Sequence, residues 1–207
     1  MPLTLRLYTD FVCPFCFIAE QGSVPRLLAE FDLSLDWHGF ELHPETPPGG
    51  MPLSELFPGV SLPSLHDRTR RFAAQFGVTG LNPPDRLQST RGALAAAEFA
   101  RDAGKLEAFR QEAMDAHWRR GKNLEDAADL RAIATAAGVD ADGALAATKD
   151  PLLLARVDAK QAEAKQNGVR GIPTFFFGSE RVVGCQPYEA LAQAALRGGA
   201  ARRATLV

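Results

Sequence analysis

The sequence predicts an α/β domain split by a large all-helical insertion, and three observations carry that prediction. Two stretches with strand character lie near the N-terminus and two more near the C-terminus. Between the pairs, Leu65 to Gly168 reads almost entirely as helix. The run Asp10-Phe11-Val12-Cys13-Pro14-Phe15-Cys16 falls where the first strand gives way to a helix. The order is strand-helix-strand, helical block, strand-strand-helix. Residues 1–60 and 166–207 are therefore assigned to one α/β domain, and residues 61–165 to the helical insertion.

The first strand, Leu3-Thr4-Leu5-Arg6-Leu7-Tyr8, alternates apolar and polar with period two. The residues from Phe17 to Phe31 contain no β-branched run and read as one helix. In Leu33 to Phe40, Leu33, Leu35 and Trp37 alternate with Ser34, Asp36 and His38, a second strand. The stretch from Leu42 to Pro63, rich in proline and glycine, reads as a long surface connection into the insertion. Within the helical block, Leu106, Phe109 and Ala113 share a face, as do Leu130, Ile133, Ala134 and Ala137. Asp126, and Asp150 before Pro151, are predicted N-caps. Ile172 to Phe177 and Arg181 to Gly184 are predicted to form a hairpin through Gly178-Ser179. Thr174-Phe175-Phe176-Phe177 is apolar after its first residue, which suits a strand covered on both faces. A helix from Tyr188 to Leu196 closes the pattern.

Composition excludes several classes of function. The 207 residues are 46% hydrophobic and 23% charged, ordinary for a globular protein. A formal net charge of −2 argues against nucleic acid or an anionic membrane as partner. No segment approaches the ~18 consecutive apolar residues of a membrane span. Met1-Pro2-Leu3-Thr4-Leu5-Arg6 has neither the n-region nor the h-region of a secretory signal, so a cytoplasmic location is expected. Arg68, Arg70 and Arg71, like Arg119-Arg120 and Arg202-Arg203, read as solvated faces. Three cysteines are too few for a structural disulfide framework. The oligomeric state is not legible.

The chemistry lies in Cys13 and Cys16. Two cysteines two residues apart can close a small disulfide. A thiol at a helix N-terminus, among unpaired N–H groups and the positive end of the macrodipole, is stabilised as thiolate. Half of a zinc site is the competing reading. No second Cys-x-x-Cys and no close Cys/His pair completes it, so no metal is expected. His38, His43, His66 and His117 are scattered and read as surface or satisfied core residues. Pro14 suits the first helical turn, where no N–H is lost. In Gly171-Ile172-Pro173-Thr174 a proline opens an apolar strand, and a cis peptide beside the thiols would account for it.

Taken together, these motifs resemble the thioredoxin-fold DsbA family, and within it the FrnE-like cytoplasmic branch. The resemblance covers nearly the whole chain. It runs through Asp10 to Cys16, Phe40-Glu41-Leu42-His43-Pro44, Ser89-Thr90-Arg91, Val169 to Phe175 and Gly184-Cys185-Gln186-Pro187. It implies a thioredoxin fold with a helical insertion, a cis peptide before Pro173, and dithiol–disulfide exchange with protein or small-thiol substrates. Phe15 stands where this branch usually carries tryptophan, and Cys185 where it usually carries alanine. Periplasmic relatives carry histidine at the position of Phe15, so this chain is expected to be the weaker oxidant.

The expected mechanism has Cys13, at an exposed helix start, forming the mixed disulfide, and Cys16, one turn deeper, resolving it. Pro14 and Phe15 shape access to the sulfurs. The backbone at Ile172 and Pro173 is placed to pair with an extended substrate segment. Asp10 has two open readings, a turn or helix cap and a buried proton acceptor for Cys16. Cys185 likewise reads as a small buried apolar thiol or as a third redox thiol. The alternative function is a glutathione-dependent enzyme, a kappa-class transferase or a 2-hydroxychromene-2-carboxylate isomerase. Glutathione would then be a co-substrate held by Ile172 and Gly184-Cys185-Gln186. Those relatives usually carry serine at the position of Cys13, which counts against that reading. A non-catalytic chaperone is the third reading, and its holdase activity would survive loss of both cysteines.

Overall fold

A computed structural model describes residues 1–204. Along the chain run β1 (Leu3–Thr9), α1 (Pro14–Gln21), α2 (Ser23–Glu30), β2 (Leu33–Gly39), β3 (Met51–Pro52), α3 (Leu53–Leu56), α4 (Leu62–Ala74) and β4 (Arg86–Leu87). They are followed by α5 (Arg91–Asp102), α6 (Leu106–Trp118), α7 (Ala127–Ala136), α8 (Ala141–Ala147), α9 (Pro151–Gln166), β5 (Thr174–Phe177), β6 (Glu180–Val183) and α10 (Tyr188–Arg197).

The four long-range strands form one sheet in the order β2-β1-β5-β6. The central strand β1 is parallel to β2, with Leu3 opposite Leu33 and Thr9 opposite Gly39. It is antiparallel to β5, with Leu5 opposite Phe177 and Tyr8 opposite Thr174. β5 and β6 form the predicted hairpin, and Gly178 turns it with a φ of +59°. Leu5, Leu7, Phe175 and Phe177 are fully buried in the centre of the sheet, as apolar strands covered by helices should be. This is a thioredoxin fold carrying a helical insertion. Its register places the end of β1, and with it the Cys13 turn, beside the start of β5.

Three expectations are corrected. The helix from Phe17 to Phe31 is two helices, broken at Gly22, whose ψ of −84° is not helical. A Cβ there would lie 3.0 Å from Ile18 O and from the Phe76 side chain, so a larger residue would press on Phe76. The helical block is interrupted between α4 and α5. Val78 donates back to Ala73 O across Gly77, at φ +72°, and Pro83-Pro84 then keeps the chain extended into β4. Finally, the connection from Leu42 to Pro63 is not only surface loop. It carries β3, which pairs with β4, then α3 and the start of α4.

The insertion is fastened beneath α1. Trp118 at the end of α6 stacks on Phe17 (centroids 6.0 Å apart) and donates its indole N–H to Phe11 O at 2.8 Å. The predicted caps at Asp126 and Asp150 each accept two backbone N–H bonds.

Candidate active site

Cys13 is the N-cap of α1, with extended backbone (φ −86°, ψ 114°), and its carbonyl accepts from Cys16 and Phe17 N–H at 3.1 Å. Pro14 occupies the first helical position, where its missing N–H costs nothing. The Cys13 thiol points across to the segment before β5 and lies 3.8 Å from the Ile172 carbonyl oxygen. The Ile172–Pro173 peptide bond is cis, and Pro173 O accepts from Gly184 N–H at 2.7 Å. Pro14, Ile172, Pro173 and both cysteines are thus brought together at one point.

Cys13 is not exposed, contrary to expectation; only 2% of its surface is accessible. Residues of the segment from Leu42 to Leu87 arch over the helix start. Under it lies an apolar cavity of about 330 Å³, bounded by Cys13, Phe15, Ile172, Leu56, Leu87 and Trp118 among others. Phe15 stands at its rim, 47% exposed, with its ring edge-on to Phe72 at 5.3 Å. His43, His66 and His117 also line this cavity, although their scattered positions in the sequence gave no sign of it. His117 is buried, and burial pulls its imidazole down to about 4, so it is neutral at neutral pH.

Cys16 lies fully buried behind Cys13. Burial, reinforced by neighbouring Cys13, pushes its thiol well above the ordinary thiol range. Among the described residues all three cysteines are free thiols. Cys185 is half-buried against the core, and burial together with Cys13 pushes it up to about 12. Gln186 serves its own loop. Its side chain donates to Val183 O at 3.0 Å, and its carbonyl accepts the Ser23 hydroxyl at 2.9 Å.

Asp10 is fully buried and ties the turn together. Its main-chain oxygen accepts from Cys13 N–H at 3.2 Å and its carboxylate from Leu42 N–H at 2.8 Å. Burial pushes its carboxyl up to about 7.

A second buried polar group lies beneath the thiols, unmarked by any motif. Glu20 accepts the Thr9 hydroxyl at 2.6 Å and pairs with Arg110, which also makes a two-pronged contact with Glu107. The available signal was its spacing: Glu20 is four residues after Cys16 and so shares that thiol's inward face of α1. No group of three or more acidic, cysteine or histidine side chains that could hold a metal occurs among the described residues.

Residues 4–195 match the DSBA-like thioredoxin domain, and the chain belongs to that family of thiol-disulfide oxidoreductases. Among solved structures, it is similar to a "probable DsbA oxidoreductase" from Streptomyces coelicolor, with a TM-score of 0.84 and 25% identity over 95% of this chain and 89% of that one. Among curated sequences, it is 27% identical over 180 residues to the 2-hydroxychromene-2-carboxylate isomerase of Sphingobium xenophagum, covering 85% of this chain and 89% of that one. The cytosolic disulfide reductase DsbM of Pseudomonas aeruginosa, solved with GSH, shares the fold at a TM-score of 0.62 and 21% identity, over 94% of this chain and all of that one (100%). No helix among the described residues is long and apolar enough to cross a membrane.

Proposed function

We propose that the protein exchanges a Cys13–Cys16 disulfide with protein or small-thiol substrates through a mixed disulfide at Cys13. One observation carries this: Cys13 caps α1 at the floor of the cavity, with Cys16 buried behind it. Attack from the cavity meets Cys13 first, and Cys16 stands behind that sulfur on the protein side. The apolar lining favours substrates with an aliphatic or aromatic group beside the reacting sulfur, at about 25 cal/mol per Å² covered. The Ile172 backbone is the proposed contact for an extended substrate segment. Residues 1–60 and 166–207 supply the thiols, and residues 61–165 supply much of the cavity wall. No metal or resident cofactor takes part. A cytoplasmic location, and glutathione as the small thiol, draw support from the likeness to the cytosolic reductase solved with GSH.

The apolar cavity and the likeness to an isomerase favour one second reading, glutathione-dependent isomerisation of a small aromatic substrate. Cys13→Ser separates the two. Reduction of a disulfide-bonded peptide by glutathione, catalysed by the wild type, should vanish in this variant. Glutathione-dependent isomerisation retained by Cys13→Ser, with no disulfide reduction by the wild type, would establish the second reading instead.

A further inference from the structure

The ring of His117 lines the cavity at Cys13, and of the three histidines there it is the one fully buried, at 1% exposed. Its Nδ1 lies 3.4 Å from Lys122 O, a carbonyl that can only accept. Nδ1 therefore carries the ring hydrogen, and Nε2 is a bare lone pair. Among the described residues Nε2 has no partner. It is not one of the polar atoms sealed in the interior without a partner, which are Asp10 Oδ1, Trp37 Nε1, His38 Nδ1 and Thr46 Oγ1. Unpartnered and not sealed, Nε2 opens on the cavity. We propose that the cavity selects thiols and disulfides that carry a neutral hydroxyl on an apolar body, and that His117 Nε2 accepts from that hydroxyl. The inference rests on the exchange function proposed above and names its substrate class.

The surroundings fix the acceptor and limit what it can accept. The His117 ring stands edge-on to Trp118, with centroids 5.0 Å apart, and Trp118 is itself anchored by its bond to Phe11 O. Burial keeps the imidazole neutral near pH 7, so Nε2 offers a lone pair and no hydrogen. A carboxylate would meet it lone pair to lone pair, and an ammonium would have to shed its water in an apolar cavity. Of the neutral donors, a hydroxyl adds least volume to a body that must fit about 330 Å³. The other polar side chains at the cavity are bonded to the protein. His43 Nδ1 meets Glu45 at 2.9 Å, His66 Nε2 meets Pro84 O at 3.2 Å, and Arg86 donates to Gly49 O and Gly50 O. His43 and His66 are also partly exposed, so water reaches them. An acceptor buried without a partner is unfavourable, and a substrate that supplies the partner removes that cost.

The hydroxyl stays in place through the exchange. The Cys13 thiolate attacks one sulfur of an aryl disulfide, the S–S bond breaks, and the other half leaves as thiolate. The half now bound to Cys13 keeps its ring in the cavity and its hydroxyl on Nε2. Cys16, its proton lost to water, attacks Cys13 Sγ and releases that half as a second thiolate. Two glutathione molecules then reduce the Cys13–Cys16 disulfide and leave as glutathione disulfide. No proton passes to His117, which acts by holding the substrate.

The test uses the full chain with glutathione as reductant. Bis(4-hydroxyphenyl) and bis(3-hydroxyphenyl) disulfide are each compared with the methoxy counterpart, whose oxygen has no hydrogen to donate. The wild type should reduce at least one hydroxyl compound with a kcat/KM about tenfold above its counterpart. His117→Phe should remove that preference. A second measurement needs no variant. The ¹⁵N-histidine-labelled wild type is titrated with 4-(methylthio)phenol, a thioether that cannot exchange. The His117 Nε2 resonance should shift as it accepts the hydroxyl, and 4-methoxythioanisole should leave it in place. A preference that survives in His117→Phe, no wild-type preference at either ring position, or an Nε2 resonance unmoved by the phenol would overturn the proposal. A wild type that reduces none of these disulfides while Nε2 still responds to the phenol would instead overturn the exchange function and leave the acceptor site standing.

Discussion

The Cys13 sulfur stands 3.8 Å from the Ile172 carbonyl oxygen, joining residues 159 positions apart. The contact exists because β1 and β5 are neighbours, so the turn after one strand abuts the loop before the other. It places the proposed attacking thiol against the segment whose backbone is proposed to receive a substrate chain.

Phe15 should set how oxidising the pair is. It lies at the cavity rim beside Cys13 and offers the thiolate neither a hydrogen bond nor a charge. Phe15→His supplies both, stabilises the reduced form and should shift the reduction potential by about 30 mV or more to the positive side, the equivalent of a tenfold change in the exchange constant. Equilibration with glutathione redox buffers measures it. An unchanged or more negative potential would mean that the dipeptide does not tune this site.

Asp10 should make the protein lose stability as pH rises. Its carboxyl titrates at about 7 in the fold, chiefly because it is buried, against an ordinary value of 3.8. Between about pH 4 and 7 the folded protein therefore holds a proton that the unfolded chain has released, and stability falls across that window and levels off above it. Asp10→Asn keeps an acceptor for Leu42 N–H but not the charge. Urea unfolding should find it equal to wild type near pH 4 and more stable by about 2–4 kcal/mol at pH 8. A variant less stable than wild type at pH 8 would contradict this account of the turn.

The cavity should select substrates by their apolar groups. Leu56→Trp places a larger side chain in its wall. Exchange with aromatic disulfides should slow by about tenfold or more, since a buried apolar group is worth about 1.5–3 kcal/mol. Exchange with a small hydrophilic disulfide should change little. Equal slowing of both, measured as kcat/KM, would show that the substitution acts on the thiols rather than on the cavity.

Much of this was legible in the sequence because it is local. Strand alternation at Leu3 to Tyr8, the cap at Asp150-Pro151 and the placement of Cys13 at a strand-to-helix junction depend on neighbouring residues alone. What could not be read depends on contacts across the fold. Gly22 separates α1 from α2 at a point where Phe76, distant in sequence, packs against it. The arch over Cys13 depends on Met51 and Pro52 pairing with Leu87 and Arg86, two short segments without an alternating pattern. His43, His66 and His117 meet at one cavity from three separate elements. Glu20 is intelligible only once Arg110, 90 residues away, is placed beside it.

The most direct measurement of the central claim uses Cys16→Ser and Cys13→Ser side by side. Each variant is exposed to a disulfide-bonded peptide, and its adducts are identified by mass spectrometry under non-reducing conditions. Cys13 faces the cavity and Cys16 lies sealed behind it, so Cys16→Ser should accumulate a mixed disulfide mapped to Cys13, while Cys13→Ser should show none at Cys16. Adducts at Cys16 in Cys13→Ser, with none at Cys13 in Cys16→Ser, would contradict the assignment of attacking and resolving thiols.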